Sequence, residues 1–144
     1  MCGAVVWESG VRHFIQYHNP DRMGEAYSFR GRFAVYTNKS HSLVVSVPEA
    51  TVWLVGGEGR PRHYFLCYSF LADQAGAADH PLFRWYVSGS SGTLYDPTVR
   101  IDGDPWFDTF LRRQANFSLG LRELTIADRQ ELERRAVRLT KPAG

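Results

Sequence analysis

Three clusters in the sequence set an aromatic ring beside amide, imidazole or hydroxyl groups, a combination that stacks on a planar ligand and reads its edge. Tyr17-His18-Asn19 ends a strand-like run, so one ring and two hydrogen-bonding side chains reach a sheet rim, a common place for recognition residues. Tyr36-Thr37-Asn38-Lys39-Ser40 lies where a short strand gives way to an expected helix. Backbone N–H groups at a helix start attract phosphate, Lys39 adds charge, Tyr36 offers a stacking face and Asn38 an edge-reading amide. In Asn116-Phe117-Ser118, just past a helix end, the polar atoms of Asn116 and Ser118 are free to turn inward. Trp85 and Tyr86 are strand neighbours that face opposite ways, so one is core at most and the other can wall a pocket. Each cluster also has a plain structural reading: a satisfied Asn19-Pro20 turn, capping by Thr37 or Asn38, and core packing for Trp53, Trp106 and Phe107.

Other chemistries lack their residues. Gly57-Glu58-Gly59-Arg60-Pro61-Arg62 has no third glycine for a dinucleotide fingerprint and no Walker lysine, and reads as a hairpin turn. His13, His18, His41, His63 and His80 are scattered without zinc spacing, so neither metal nor cofactor is expected. Gly89-Ser90-Ser91-Gly92 fails the nucleophile-elbow pattern and reads as a flexible turn. A Met-Cys-Gly start can expose Cys2 as an N-terminal nucleophile, but nothing downstream resembles the families that use one, and Cys2 reads as a leader residue. Arginine outnumbers lysine 15 to 2, yet the net charge is only +2, which excludes a polycation that binds through many phosphate contacts. No apolar run approaches the ~20 residues that cross a bilayer, and a cytoplasmic location is expected.

These clusters need elements to position them. Alternation predicts strands over Arg12–Tyr17, Phe33–Tyr36, Thr51–Val55, Arg62–Leu71 and Phe83–Ser88. In the fourth, Tyr64, Leu66, Tyr68 and Phe70 are expected on one face, and Phe65, Cys67 and Ser69 on the other. Thr93–Tyr95 is expected to pair with Phe83–Ser88 as a hairpin, Gly56–Gly59 to turn, and 73–81 to be a surface loop. A helix is predicted from a Thr37/Asn38 cap through Val45. Another is predicted from the Asp104 cap with Pro105 at its first position, and a last from Thr125 with Asp128 in a capping box and a Leu132/Ala136/Leu139 stripe. The expected fold is α+β, a small barrel or strongly curved mixed sheet flanked by two to three helices. One domain is expected over 12–139, with an N-terminal extension over 1–11 and a frayed tail over 140–144.

The order of Phe14-Ile15-Gln16-Tyr17-His18-Asn19, Tyr36-Thr37-Asn38-Lys39, a helix, Thr51-Val52-Trp53-Leu54-Val55, a glycine turn and the aromatic strand Tyr64 to Phe70 resembles the PUA-like superfamily, most of all its EVE and YTH branches. The likeness covers roughly residues 12–125 and is one of order and texture. It implies a PUA-like β-barrel that binds RNA, or that flips a modified base of DNA or RNA into an aromatic pocket. In prokaryotes such readers often serve restriction or defence systems, with cleavage left to a nuclease partner. By position it puts Tyr17, His18, Asn19, Tyr36, Thr37 and Asn38 at the pocket, with Trp85 or Tyr86 as a further wall. The proline-containing EVE opening is missing, and Tyr36 stands where the YTH cage has a tryptophan. Arg22, Arg30, Arg32, Arg60 and Arg62, with Lys39, are the expected phosphate contacts. Two other readings stand beside this one. One is an ASCH-like amidohydrolase acting on a modified nucleoside through Thr37, Lys39 and a carboxylate from Glu49 or Asp73; the other is a protein-interaction domain with exposed aromatics.

Overall fold

Val52, Trp53, Leu54 and Val55 are consecutive and all buried, so the strand they form must be covered on both faces. In the computed structural model, which describes residues 12–25, 27, 29–117 and 120–140, they belong to β3 (Thr51–Glu58), the centre of a five-stranded sheet. Beside it run β1 (His13–His18), parallel, and β4 (His63–Leu71), antiparallel; β7 (Ser91–Arg100) and β8 (Arg122–Glu123) are the edges. Phe14, Val52 and Leu54 belong to one core. Ile15, Trp53 and Val55 belong to another.

The first core is closed by a three-stranded sheet of β2 (Phe33–Thr37), β6 (Trp85–Gly89) and β5 (Gln74–Ala77), which contributes Val35 and Val87. The one-turn helix α2 (His41–Val44) adds Val44. The second core is closed by α3 (Pro105–Arg113) through Phe107 and Phe110 and by α4 (Ile126–Thr140) through Leu132 and Ala136. A further single turn, α1 (Pro20–Met23), follows β1. The Tyr68 hydroxyl donates to the Ala34 carbonyl at 2.5 Å and accepts from its N–H at 3.4 Å, tying β2 to β4 across the layer. The molecule is thus mixed α+β. Its strands form two packed sheets, not a closed barrel.

The caps expected at Asp104 and Thr125 are both made. Asp104 caps α3 by accepting from the Phe107 N–H at 3.1 Å. Thr125 accepts from the Asp128 N–H at 3.2 Å. The Asp128 carboxylate, however, does not close the capping box: it is buried and accepts from Trp106 Nε1 at 3.2 Å and from Arg113. The helix expected from Thr37 or Asn38 begins only at His41, with Ser40 as its cap, and ends after one turn. Its β-branched run resists helix, and Val47 is needed in the core.

Long-range pairing produced the other departures. Gly56 and Gly57 continue β3 and are not a turn, and 74–77 of the expected loop is strand, paired to β6. Residues 91–100 pair with β4, not with β6 as a hairpin. The chain changes sheets here by crossing close over β4: a Cβ at Gly89 would lie 2.0 Å from the Leu71 carbonyl oxygen, and one at Gly92 2.6 Å from that of Ser69. The expected face of β4 is broken as well. Leu54 and Val55 pair with Tyr68 and Leu66, leaving Cys67 as a bulge. Tyr64 and Leu66 therefore join the helix-side core, while Tyr68 and Phe70 join the other. The readings of Cys2, Ser118, the 1–11 extension, residues 141–144 and the Leu139 side chain lie outside the described residues.

Candidate functional site

The ends of β1 and β2 belong to different sheets, and the layer packing brings them to the walls of two adjoining cavities. One, of about 400 Å³, is ringed by His18, Tyr27, Tyr36, Tyr68 and His80, with Arg30, Arg32 and Glu25 also lining it. We term it the aromatic chamber. The other, of about 480 Å³, is lined by Asn19, Arg22, Thr37, Asn38, Lys39, Phe117 and Gly120, with no carboxylate among the described residues. We term it the cationic chamber. Gln16, Tyr17, Met23 and Phe83 line both. Each volume lies in the range of small-molecule sites.

The residues expected from the sequence fall into distinct roles. Tyr36 faces the aromatic chamber, its ring 4.9 Å from that of His80, which in turn lies 5.1 Å from Phe83. Tyr17 stacks on Phe117 at 5.0 Å and accepts a hydrogen bond from Arg62 at 2.9 Å. Burial raises the Tyr17 phenol above its ordinary value against the opposing pull of Arg62, so at neutral pH it stays protonated. Burial drives the phenols of Tyr27 and Tyr68 upward too. His18 is held through Nε2 against the Glu25 carbonyl at 3.1 Å. Asn19 caps α1 by accepting from the Asp21 N–H at 3.0 Å.

Asn38 is occupied at both ends of its amide. It donates to the Leu82 carbonyl at 2.9 Å and accepts from the Arg84 N–H at 2.8 Å. It therefore pins the loop that carries His80 and Phe83. Thr37 accepts from the Lys39 N–H at 3.1 Å, which turns Lys39 toward the cationic chamber. Trp85 and Tyr86 line neither chamber. Trp85 packs on the first core and lies 4.7 Å from the His41 ring, and Tyr86 sits under Arg32. Asn116 is exposed and also lines neither. It belongs to a left-handed run, Ala115 (φ 49), Asn116 (φ 55) and Phe117 (φ 61), a conformation costly for side-chain-bearing residues. The run delivers the Phe117 ring to Tyr17 and the cationic chamber.

Of the expected phosphate contacts, Arg22, Arg30, Arg32 and Lys39 line the chambers, whereas Arg60 and Arg62 pair with Asp21 at 3.3 and 2.9 Å just outside. Thr37 and Lys39 share the cationic chamber, but Glu49 and Asp73 line neither; the Asp73 carboxylate is bonded to Ser90. Neither of those two carboxylates therefore lines the chamber that Thr37 and Lys39 share.

Sequence reasoning missed Gln16, Met23, Tyr27, His80, Phe83 and Phe117. Only Gln16 carried a signal: it is a polar residue on the same strand face as Phe14, in a run whose neighbours are core. It is only 8% exposed, and its Oε1 has no hydrogen-bond partner. An unmet buried acceptor of this kind costs about 1–3 kcal/mol. Among the described residues, no helix is long and apolar enough to cross a membrane. Compared with known family models, curated proteins and solved structures, the chain matches none.

Proposed function

We propose that the protein is a nucleic-acid-binding module that takes a modified, flipped or unpaired base into the aromatic chamber. The observation that carries this reading is the convergence of Tyr17, His18, Tyr36, His80 and Phe83 around one cavity whose buried Gln16 acceptor lacks a partner. Stacking contributes about 1–3 kcal/mol per base and needs no large net charge, which suits a chain of +2. Extruding a base from a duplex costs a few kcal/mol, an amount that a ring-lined pocket can offset. Exposed Arg22, Arg30 and Arg32 at the rim are placed to hold the flanking backbone. In this reading the two packed sheets are an open version of the PUA-like barrel, and the protein is a cytoplasmic specificity component whose nuclease, where there is one, is a separate chain.

The test is a binding screen at low salt with methylated, hydroxymethylated and unmodified oligonucleotides, both duplex and single-stranded. Saturable binding to one modified class is expected. Tyr36→Ala should weaken it about 5- to 150-fold, the equivalent of one lost base stack, while the far-UV circular dichroism is retained. Absence of binding to every probe would remove this function. Asn38→Ala is the less informative variant, because it also releases the 82–84 loop.

A further inference from the structure

The two chambers differ in charge as well as in lining. In the aromatic chamber, Arg30 is paired with Glu25 at 2.5 Å. Among the described residues, no carboxylate lines the cationic chamber and Lys39 makes no ion pair; Arg22 lies over the Phe83 ring at 5.1 Å. Nearby Arg60 and Arg62 are already taken by Asp21. Among the described residues, unpaired positive charge is therefore greater on the cationic side of the shared wall, with Lys39 and Arg22, than on the aromatic side, where Arg32 alone is unpaired and lies over the Tyr86 ring.

Gln16 stands in that shared wall. Its buried Oε1 is an acceptor, so a phosphate oxygen cannot satisfy it; an N–H or O–H of the ligand can. A ligand that meets all three demands has a flat ring, a hydrogen-bond donor and an anionic group, in that spatial order.

We propose that the paired chambers bind one whole phosphorylated nucleoside: base in the aromatic chamber, phosphate at Lys39 and Arg22, and a base or sugar donor on Gln16. This rests on the base-binding function above and deepens it by assigning the phosphate its own compartment. The same chemistry is offered by a free nucleoside monophosphate and by a nucleotide within a strand.

Calorimetric titration of the full chain distinguishes these sources. The probes are matched nucleosides and 5′-monophosphates, namely the four common ones with 5-methyl-2′-deoxycytidine and N6-methyladenosine, and short single strands containing the same bases. For the best base, the monophosphate should bind about tenfold or more tighter than its nucleoside, the gain expected of charge-assisted hydrogen bonds. Lys39→Met should shrink that ratio to below about threefold and flatten the salt dependence by about one phosphate contact. Gln16→Met should weaken nucleoside and monophosphate alike, leaving the ratio intact. Equal affinity for nucleoside and monophosphate, or a ratio that survives Lys39→Met in a variant with wild-type melting, overturns the compartment. If a strand binds but its affinity ignores Lys39, the compartment fails and the base-reading function stands. If monophosphates bind in a Lys39-dependent way and strands do not, the function in nucleic acid fails and the compartment stands. No binding of any probe overturns both.

Discussion

Lowering the pH from 6.5 to 4 is expected to remove about 3 kcal/mol of folding stability through His13 alone. His13 is 2% exposed and takes the Trp53 indole N–H on Nδ1 at 3.0 Å, a bond that needs an unprotonated nitrogen. Burial, with the charge of Arg129 adding to it, lowers its pKa from 6.5 to about 4. Above pH 6.5 the ring is neutral whether the chain is folded or not, and stability is full. Between 6.5 and 4 the unfolded chain takes up a proton that the folded chain refuses, so stability falls as pH falls. Below 4 both forms are protonated and the loss is complete.

Asp102, Asp104, Glu123 and Glu131 titrate below their ordinary values because arginines pair with them. Their stabilisation is present above the unfolded carboxylate range and is lost as pH drops through the lower folded values. Above about pH 5 the slope therefore belongs to His13 among these groups. Urea melts at pH 7, 6 and 5 on the wild type and on His13→Gln, whose amide oxygen also accepts from Trp53, read this out. A variant with the same slope as the wild type over that window would refute the assignment. Because His13 opens β1, the strand that carries Gln16, Tyr17 and His18, ligand affinity should decline with it.

Gly89→Ala is expected to cost at least about 3 kcal/mol, and Gly89→Val to prevent folding. The added Cβ would sit 2.0 Å from a backbone oxygen of β4, which cannot swing aside as a side chain would. Relief requires moving the corner where the chain leaves β6 for β7, and with it the small sheet that supports Tyr36. Gly76→Ala is the control: the three atoms nearest its Cβ would all belong to the Tyr86 side chain, the first at 3.2 Å, and a small loss is expected. Thermal melts of the two alanine variants compare them directly. Equal melting temperatures would show that the crossing is not tight.

Much of the local architecture was legible because it depends on neighbours in sequence. The Asp104-Pro105 start of α3 needs only one carboxylate three residues before an N–H, and the β1 run needs only alternation. The same logic failed at Thr37. Any hydroxyl before a turn can cap, and the choice fell to Ser40 once Val44 and Val47 were drawn into the core. The bulge at Cys67 escaped for a related reason: period two in the sequence says nothing about where a partner strand inserts a shift.

The candidate site divides in the same way. Tyr17, His18, Asn19, Tyr36, Thr37 and Asn38 could be singled out from the sequence, because rings beside amides at strand ends are local facts. Which of them face a cavity, and which are spent on holding loops, was decided only in three dimensions. Asn38 gives both ends of its amide to residues more than forty positions away, and Trp85 turns to the core. Phe117, His80 and Phe83 reach the chambers only because a left-handed turn and a pinned loop carry them there.

The strand-rich α+β class, the low net charge that excludes bulk phosphate binding and the rings available for stacking all follow from the residues alone. Only the packing in three dimensions sets β1 and β2 in different sheets, brings their ends together and buries Gln16 between a ring-lined chamber and a cationic one. The difference is one of range. Caps, alternation and charge are set by residues a few positions apart, whereas a cavity exists only where distant segments fail to fill the space between them.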